Sequence, residues 1–140
     1  MKCEKLDENY SIEISIERFP CLQVTFRVFT ISKHRIDREQ VGYAYVDVYT
    51  KGTYNLPRKS AIWTDIVITE KYYRQGMGSK IVKFAIAYLR KIGIEQIFGK
   101  ISVTDDTKRA IAFWRKNGFK IIMYEKPEGD VARIKLQLAK

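Results

Sequence analysis

Histidine and cysteine are scarce in this chain, and their scarcity excludes whole classes of site. The 140 residues include one histidine, His34, and two cysteines, Cys3 and Cys21. The two cysteines are far apart in the sequence and do not form the closely spaced pair of a zinc or redox motif. We therefore predict that the protein holds no metal.

Long apolar runs are also absent. No stretch of the chain approaches the roughly 20 apolar residues that span a bilayer, and the first ten residues, MKCEKLDENY, lack the apolar segment of a secretion signal. We expect a cytoplasmic protein that is soluble and does not enter a membrane. A length of 140 residues is typical of one ordinary domain, so we predict a single domain over residues 1–140.

Acidic residues are in the minority. The chain has 26 lysines and arginines against 16 aspartates and glutamates, which gives a formal net charge of +10 at pH 7. Residues 61–140 hold 16 of the basic and 8 of the acidic residues, so most of the surplus lies there. Such a charge favours polyanionic ligands, among them nucleic acids and phosphorylated cofactors. It disfavours polycationic acceptors by repulsion, within the limit that salt screening sets.

Apolar and polar residues alternate along the first half of the chain, as they do in half-buried β-strands. Two such segments, SIEISIER and LQVTFRVFTIS, are separated by a short break at Phe19-Pro20. A third strand, VGYAYVDVYT, is predicted from its aromatic and β-branched residues. The next segment, AIWTDIVI, is dense enough in apolar residues to be a central strand.

The second half of the chain contains two helical patterns. Apolar residues recur every three or four positions over residues 81–92, and Gly93 has the position of a left-handed cap. A second helix, DDTKRAIAFWRKN, has Asp105 or Asp106 as its N-cap and Gly118 as its stop. With the strands IFGKISV, FKIIMYE and VARIKLQL, the predicted order is β-β-β-β-α-β-α-β-β. This order predicts an α+β (mixed α/β) fold, a mostly antiparallel mixed sheet with helices packed on it.

A glycine-rich loop connects the central strand to the first helix. The first turn of a helix leaves backbone N–H groups without intrahelical acceptors, and the helix dipole adds partial positive charge, so anions bind there. Gly76 and Gly78 allow close approach to the backbone, and Arg74 and Lys80 add charge. We predict a phosphate site formed by Tyr73, Arg74, Gln75, Gly76, Met77, Gly78, Ser79 and Lys80.

This segment resembles the motif Arg/Gln-x-x-Gly-x-Gly/Ala of the GNAT superfamily of N-acetyltransferases, with Tyr73 at the first position. Downstream, AIAFWRKNGFKI is similar to the family's Asn-x-x-Ala-x-x-x-Tyr-x-x-x-Gly-Phe segment, in which Ala110, Gly118 and Phe119 match. The resemblance covers about residues 61–124. It implies the GNAT-like fold and transfer of an acetyl group from acetyl-coenzyme A to a primary amine of a small molecule or a protein, by direct attack in a ternary complex.

The resemblance also implies roles for individual residues. Backbone N–H groups of Ile66, Val67 and Ile68 on the central strand would hold the pantetheine arm and the acetyl carbonyl, and such donors are usually the main catalytic contribution. Thr107 stands where the family has Asn, and Trp114 stands where it has Tyr. By position, both are therefore candidates for contact with the cofactor. For the indole of Trp114, packing in the core is the favoured role.

Proton transfer has several candidates. The family's general base often lies on the central strand, where Thr64 and Asp65 stand, and a carboxylate among apolar neighbours becomes a better base. The other interpretation of Asp65 is a solvated or salt-bridged strand residue. Because indole cannot protonate a thiolate, the acid would be Tyr72, Tyr73 or Tyr124, or solvent.

Family members place two helices after their first strand to form the acceptor pocket, whereas only residues 19–21 separate the first two predicted strands here. Strand tyrosines would then line the pocket or pack on the sheet: Tyr43, Tyr45, Tyr49 and Tyr54.

Two other functions remain open. One is a regulatory, catalytically weak domain that binds acyl-coenzyme A. The least favoured is a nucleic-acid-binding module in which Phe113, Trp114 and Arg115 stack on bases. Because the edge strand of a sheet can pair with a second chain, we also predict a homodimer.

Overall fold

The structure, a computed structural model, describes residues 1–18, 21–32, 37–103 and 106–138. The predicted break at Phe19-Pro20 and the candidate cap Asp105 lie outside these residues. A short 3-10 helix, Glu70–Tyr72, precedes the first α-helix. The strands and α-helices are β1 (Lys2–Lys5), β2 (Tyr10–Glu17), β3 (Leu22–Thr30), β4 (Gln40–Tyr49), β5 (Ser60–Ile68), α1 (Met77–Lys91), β6 (Gln96–Ser102), α2 (Thr107–Lys116), β7 (Lys120–Met123) and β8 (Asp130–Gln137).

The strands follow the order β1-β2-β3-β4-β5-β6-β8-β7 in one sheet. The pairs β1–β2, β2–β3, β3–β4, β6–β8 and β7–β8 are antiparallel, and β5 and β6 run parallel, with Ser60 opposite Gln96. The predicted mixed, mostly antiparallel sheet is confirmed, and so is the order of the predicted elements. One strand was missed, because β1 is four residues, KCEK, with no apolar alternation.

The chain forms two compact units. The first comprises Met1–Val48 and Thr64–Tyr88, and the second comprises Tyr49–Trp63 and Leu89–Lys140. The boundaries therefore fall within β5 and near the end of α1. The single domain predicted from the length of the chain stays a prediction.

The core of the first unit lies between α1 and one face of its strands. Buried residues alternate along β3 and β4, where Val24, Phe26 and Val28 share a face with Ala44 and Val46. The helix packs on this face, since the ring of Phe26 meets those of Phe84 and Tyr88 edge to face at centroid distances of 6.2 and 5.6 Å. Burying each large apolar side chain contributes about 1.5–3 kcal/mol.

Helix α1 begins at Met77, four residues before the periodic segment that predicts it, so the second glycine of the loop lies in its first turn. It ends at Lys91, and Ile92, which the pattern included, is 42% exposed beyond it. Gly93 has a φ of 96°, and Ile94 donates to the carbonyl of Leu89 at 2.9 Å, so the predicted left-handed cap is confirmed.

The second unit is built on β6, β7, β8 and α2. The side chain of Asp106 caps α2 by accepting a hydrogen bond from the N–H of Arg109 at 3.4 Å, and Gly118, with a φ of 91°, ends the helix as predicted. Trp114 is 8% exposed, with the rings of Trp63, Phe113 and Phe119 around it at centroid distances of 5.5, 5.1 and 4.9 Å. Neither α1 nor α2 is long and apolar enough to cross a membrane, and these are the described α-helices.

Candidate cofactor and catalytic site

The glycine-rich loop reverses the chain between β5 and α1. The 3-10 helix opens this connection, with the N–H of Tyr72 donating to Thr69 at 2.8 Å and that of Tyr73 donating to Glu70 at 3.0 Å. Arg74 and Gly76 follow with φ of 63° and 74°, the left-handed region that costs a residue with a Cβ about 1–2 kcal/mol. Strain of this kind concentrates at functional sites.

The first turn of α1 is suited to an anion. Lys80 donates its backbone N–H to the carbonyl of Gly76 at 3.1 Å, so the N–H groups of Met77 and Gly78 precede the hydrogen bonds of the helix and have no acceptor within it. The first turn carries no acidic residue, and Arg74, Gln75 and Gly76 are exposed. The loop thus combines exposed backbone, partial positive charge and a cation.

The two cations predicted for this site differ in their partners. Arg74 forms no ion pair with any residue of the described ranges. Lys80 instead bonds Asp7 in the β1–β2 turn, with 2.6 Å between Nζ and Oδ2, and this bond lowers the pKa of Asp7 below its ordinary value. Asp7 also accepts the backbone N–H groups of Asn9 and Tyr10, so the same carboxylate shapes the turn.

Tyr72 is a structural anchor of the loop. Its hydroxyl donates to Glu39 at 2.6 Å, and Lys71 lies 3.2 Å from the same carboxylate. The hydrogen bond to Glu39, together with burial, raises the pKa of Tyr72 to about 12. A buried hydroxyl with that pKa, already donating to a carboxylate, is poorly suited to protonate a thiolate, so Tyr72 is set aside as the general acid.

We expect Tyr72→Phe to lower the melting temperature by a few degrees at neutral pH. The folded state favours the neutral hydroxyl, so its contribution is complete below the ordinary pKa of about 10 and is lost as the pH rises towards the folded value of about 12. Urea unfolding of both proteins from pH 8 upwards should show the difference shrinking above pH 10. A difference that stays constant through this range would contradict the assignment.

The candidate residues of the central strand, β5, do not share one environment. Asp65 is exposed, and its Oδ1 accepts the N–H of Ile66 at 2.9 Å, so it lacks the apolar surroundings supposed for a base. The hydroxyl of Thr64 is 3.3 Å from Asp47 Oδ2. Val67 is 38% exposed and Ile68 is half-buried. The roles of these residues remain predictions.

Gly42 fixes the position of this part of β5. A Cβ at this glycine would lie 2.7 Å from the carbonyl oxygen of Val67 and 2.9 Å from Cδ1 of Ile68. Real Cβ atoms essentially never come that close, so only glycine lets β4 lie against this segment without displacing it.

The remaining candidates belong to the second unit. Thr107 is the first residue of α2 and is half-buried, and Tyr124, just after β7, is 36% exposed. Because Trp114 is buried among three aromatic rings, its face is not available to stack on a nucleic-acid base. The four tyrosines proposed for an acceptor wall are divided: Tyr43 and Tyr45 lie together in the first unit, whereas Tyr49 and the 96% exposed Tyr54 belong to the second.

Four residues that contact candidates for the site were missed from the sequence: Asp7, Glu39, Gly42 and Asp47. A lone acidic residue or glycine in an alternating strand carries no local signal of a partner many positions away. Within the described part of the chain, no cluster of three or more His, Cys, Asp or Glu residues could hold a metal ion.

Solved structures with this fold come from several bacteria. An acetyltransferase from Thermus thermophilus has a TM-score of 0.63 at 18% identity, over 86% of this chain and 67% of that chain. Spermidine N-acetyltransferase from Vibrio cholerae has a TM-score of 0.62 at 14% identity, over 83% and 65%. The ribosomal-protein-S18-alanine N-acetyltransferase from Escherichia coli has a TM-score of 0.57 at 18% identity, over 84% and 70%. At these identities the likeness concerns the fold alone.

Comparison of sequences defines the family. No curated protein sequence is significantly similar to this chain. A sequence profile described as the Acetyltransferase (GNAT) family matches residues 3–119, which include the glycine-rich loop and the second motif as far as Phe119. Because this match spans most of the described residues, the chain belongs to the GNAT family of acetyltransferases.

Proposed function

We propose that this protein transfers an acetyl group from acetyl-coenzyme A to a primary amine. The observation that carries the proposal is the start of α1, where an exposed loop with two left-handed residues, Arg74 and Gly76, leads into a first turn free of acidic residues. These features fit a diphosphate, which is the most strongly charged part of coenzyme A. Bound coenzyme A would supply the acetyl group as an activated thioester. We propose no metal.

Different segments of the chain would bind the cofactor and accept the proton of the amine. The loop of residues 73–80 would hold the diphosphate, and the N–H groups of Ile66, Val67 and Ile68 would orient the pantetheine arm and acetyl carbonyl. Asp65 Oδ1, with Thr64 beside it, would accept the proton of the attacking amine. Since Asp65 also holds the N–H of Ile66 at 2.9 Å, that bond must open before this N–H can serve a ligand.

Further contacts are proposed from the second unit. Tyr124, which is 36% exposed, would donate a proton to the leaving thiolate, with the exposed Tyr73 as the other candidate in place of Tyr72. Thr107 at the start of α2 would contact the cofactor, and Trp114 would support it by packing. The names of the spermidine and ribosomal-protein alanine acetyltransferases support a small-molecule or protein amine as acceptor. The homodimer stays a prediction.

A second candidate function is cofactor binding with little catalysis. It is favoured by Trp114, a buried indole at the position of the family's acid, and by the closed bond between Asp65 and Ile66. Calorimetric titration with coenzyme A tests the function common to both candidates, and absence of binding would overturn both. Acceptor-dependent thiol release with a panel of amines then separates them, because only the transferase releases thiol when an amine is added.

Arg74→Gly should separate the charge of the loop from its conformation. We expect the affinity for coenzyme A to fall about tenfold, since hydrogen bonds to charged groups are worth roughly 1.5–3 kcal/mol. The free energy of unfolding should be unchanged or higher by up to about 1 kcal/mol, because glycine adopts the φ of 63° without strain.

The matched control is Arg90→Ala, which removes the same charge from the last turn of α1, the helix that follows the loop. Titration calorimetry and urea unfolding of the three proteins give both quantities. Equal loss of affinity in the two variants would show a general effect of charge rather than a contact of Arg74.

A further inference from the structure

The strands of the first unit have a polar face opposite the face that α1 covers. Along β4 the buried Ala44, Val46 and Val48 alternate with half-buried residues on the other side. The register of β3 and β4 places Gln23 opposite Asp47, Thr25 opposite Tyr45 and Arg27 opposite Tyr43. We call this surface the polar face, consisting of Gln23, Thr25, Arg27, Tyr43, Tyr45 and Asp47.

Asp47 is a half-buried carboxylate whose hydrogen-bond donors are neutral side chains. Gln23 donates to its Oδ1 at 2.8 Å and Thr64 donates to its Oδ2 at 3.3 Å, so both oxygens are held in place by neutral donors. Asp47 forms no ion pair with any described residue, whereas Glu13, which lies opposite Arg27 on the neighbouring strand, is paired with Arg38. A bound cation would complete an ion pair with this carboxylate.

Two aromatic rings lie on the same face as this carboxylate. Tyr43 and Tyr45 are half-buried, with ring centroids 5.0 Å apart, and Tyr45 is two residues from Asp47 along β4. Alternate residues of a strand share a face, so ring and carboxylate project to the same side. An aromatic face beside a carboxylate binds organic cations, because the ring attracts the charge and covers the alkyl groups next to it.

The net charge of the first unit does not oppose a cation. The basic surplus lies in the second unit, which holds 15 basic and 6 acidic residues. The first unit holds 11 basic and 10 acidic residues and is therefore close to neutral. The first unit by itself therefore carries too little net charge to repel a cation, and Arg27 is the basic residue among those that define the polar face.

We propose that Asp47, with Tyr45, binds the second ammonium group of a small diamine acceptor. This inference rests on the proposed function, which it deepens by naming the class of acceptor. Thr64, the partner of Asp47, precedes Ile66 by two residues, a separation of about 7 Å along an extended strand. A short alkyl chain spans this distance, so a diamine held at Asp47 places its free amine against the segment proposed to hold the acetyl carbonyl.

The test compares 1,5-diaminopentane with 1-aminopentane, which differ in the second ammonium group. In the wild-type protein we expect kcat/KM to be about tenfold or more higher for the diamine, since a charge-assisted hydrogen bond contributes that much. In Asp47→Asn, whose amide keeps partners for Gln23 and Thr64, this ratio should fall to about one through a rise in KM for the diamine. Tyr45→Leu should lower the ratio in the same direction.

Glu8→Gln is the matched control, because it removes the same charge from an exposed position of the same unit. It should leave the ratio unchanged, and an equal fall would overturn the proposal. An unaltered ratio in Asp47→Asn would overturn it as well.

Binding of the diamine alone provides a second readout if neither amine is acetylated. Titration of the wild-type protein should shift the ring resonances of Tyr45, and Asp47→Asn should abolish the shift. Wild-type resonances that do not move would overturn the proposal. Failure of the proposed function itself appears separately, as a lack of coenzyme A binding.

Discussion

Replacing Gly42 with alanine is expected to lower kcat about 100-fold, because misplacing reacting groups by about 1 Å costs a factor of this size. The added Cβ would lie 2.7 Å from the carbonyl oxygen of Val67, a backbone atom that cannot rotate away. The segment of Val67 and Ile68 must therefore shift, and with it the N–H groups proposed to orient the acetyl carbonyl. Steady-state thiol release from acetyl-coenzyme A measures the effect.

Gly99→Ala is the matched control, since it makes the same change at another buried strand glycine. There the nearest atoms, at 3.0 Å, belong to the side chain of Ile134, which has more freedom to adjust. We expect its kcat to stay within a few fold of the wild type. Calorimetric titration with coenzyme A establishes that Gly42→Ala still folds and binds. A folded Gly42→Ala protein with wild-type turnover would show that this part of β5 does not position the thioester.

Replacing Trp114 with alanine is expected to reduce the free energy of unfolding by about 3–5 kcal/mol, the usual cost of emptying a buried Trp site. Its indole is 8% exposed and meets three aromatic rings, so the truncation removes the centre of this cluster. Such a loss is a large fraction of the stability of an ordinary domain. Urea unfolding monitored by circular dichroism measures it.

Phe113→Ala serves as the comparison, because Phe113 is only half-buried and meets the cluster from one side. Its cost should be clearly smaller. If Trp114→Ala instead unfolds like the wild type but binds coenzyme A much more weakly, the indole is a cofactor contact and its packing role is wrong.

Local signals in the sequence predicted much of the architecture. Gly93 and Gly118 end their helices in the left-handed region because glycine pays little for a positive φ there, and the motif around Gly76 lies at the start of a helix as expected. The alternation along β3 also indicated its apolar face, on which Val24, Phe26 and Val28 are buried. Each of these features depends on neighbours within a few positions, which a pattern can capture.

Partners distant in the chain could not be predicted. Asp7 and Lys80 are 73 positions apart, and Gln23 and Asp47 are 24 apart, so neither bond leaves a periodic or motif signal. Lys80 was therefore assigned to a phosphate without its carboxylate being foreseen. The sequence left both a base among apolar neighbours and a solvated residue open for Asp65, since the depth of a strand residue depends on which elements cover it.

The bond between Asp7 and Lys80 couples two distant parts of the chain. The ammonium group of Lys80 binds Asp7 in the β1–β2 turn, and an anion at the start of α1 would compete for it. By linkage, the bond between Asp7 and Lys80 weakens anion binding by a certain free energy. A bound anion weakens that bond, and with it the N-terminal turn, by the same free energy. Lowering the pH also weakens the bond between Asp7 and Lys80. As the pH falls through the lowered pKa of Asp7, its carboxyl is protonated and releases the lysine.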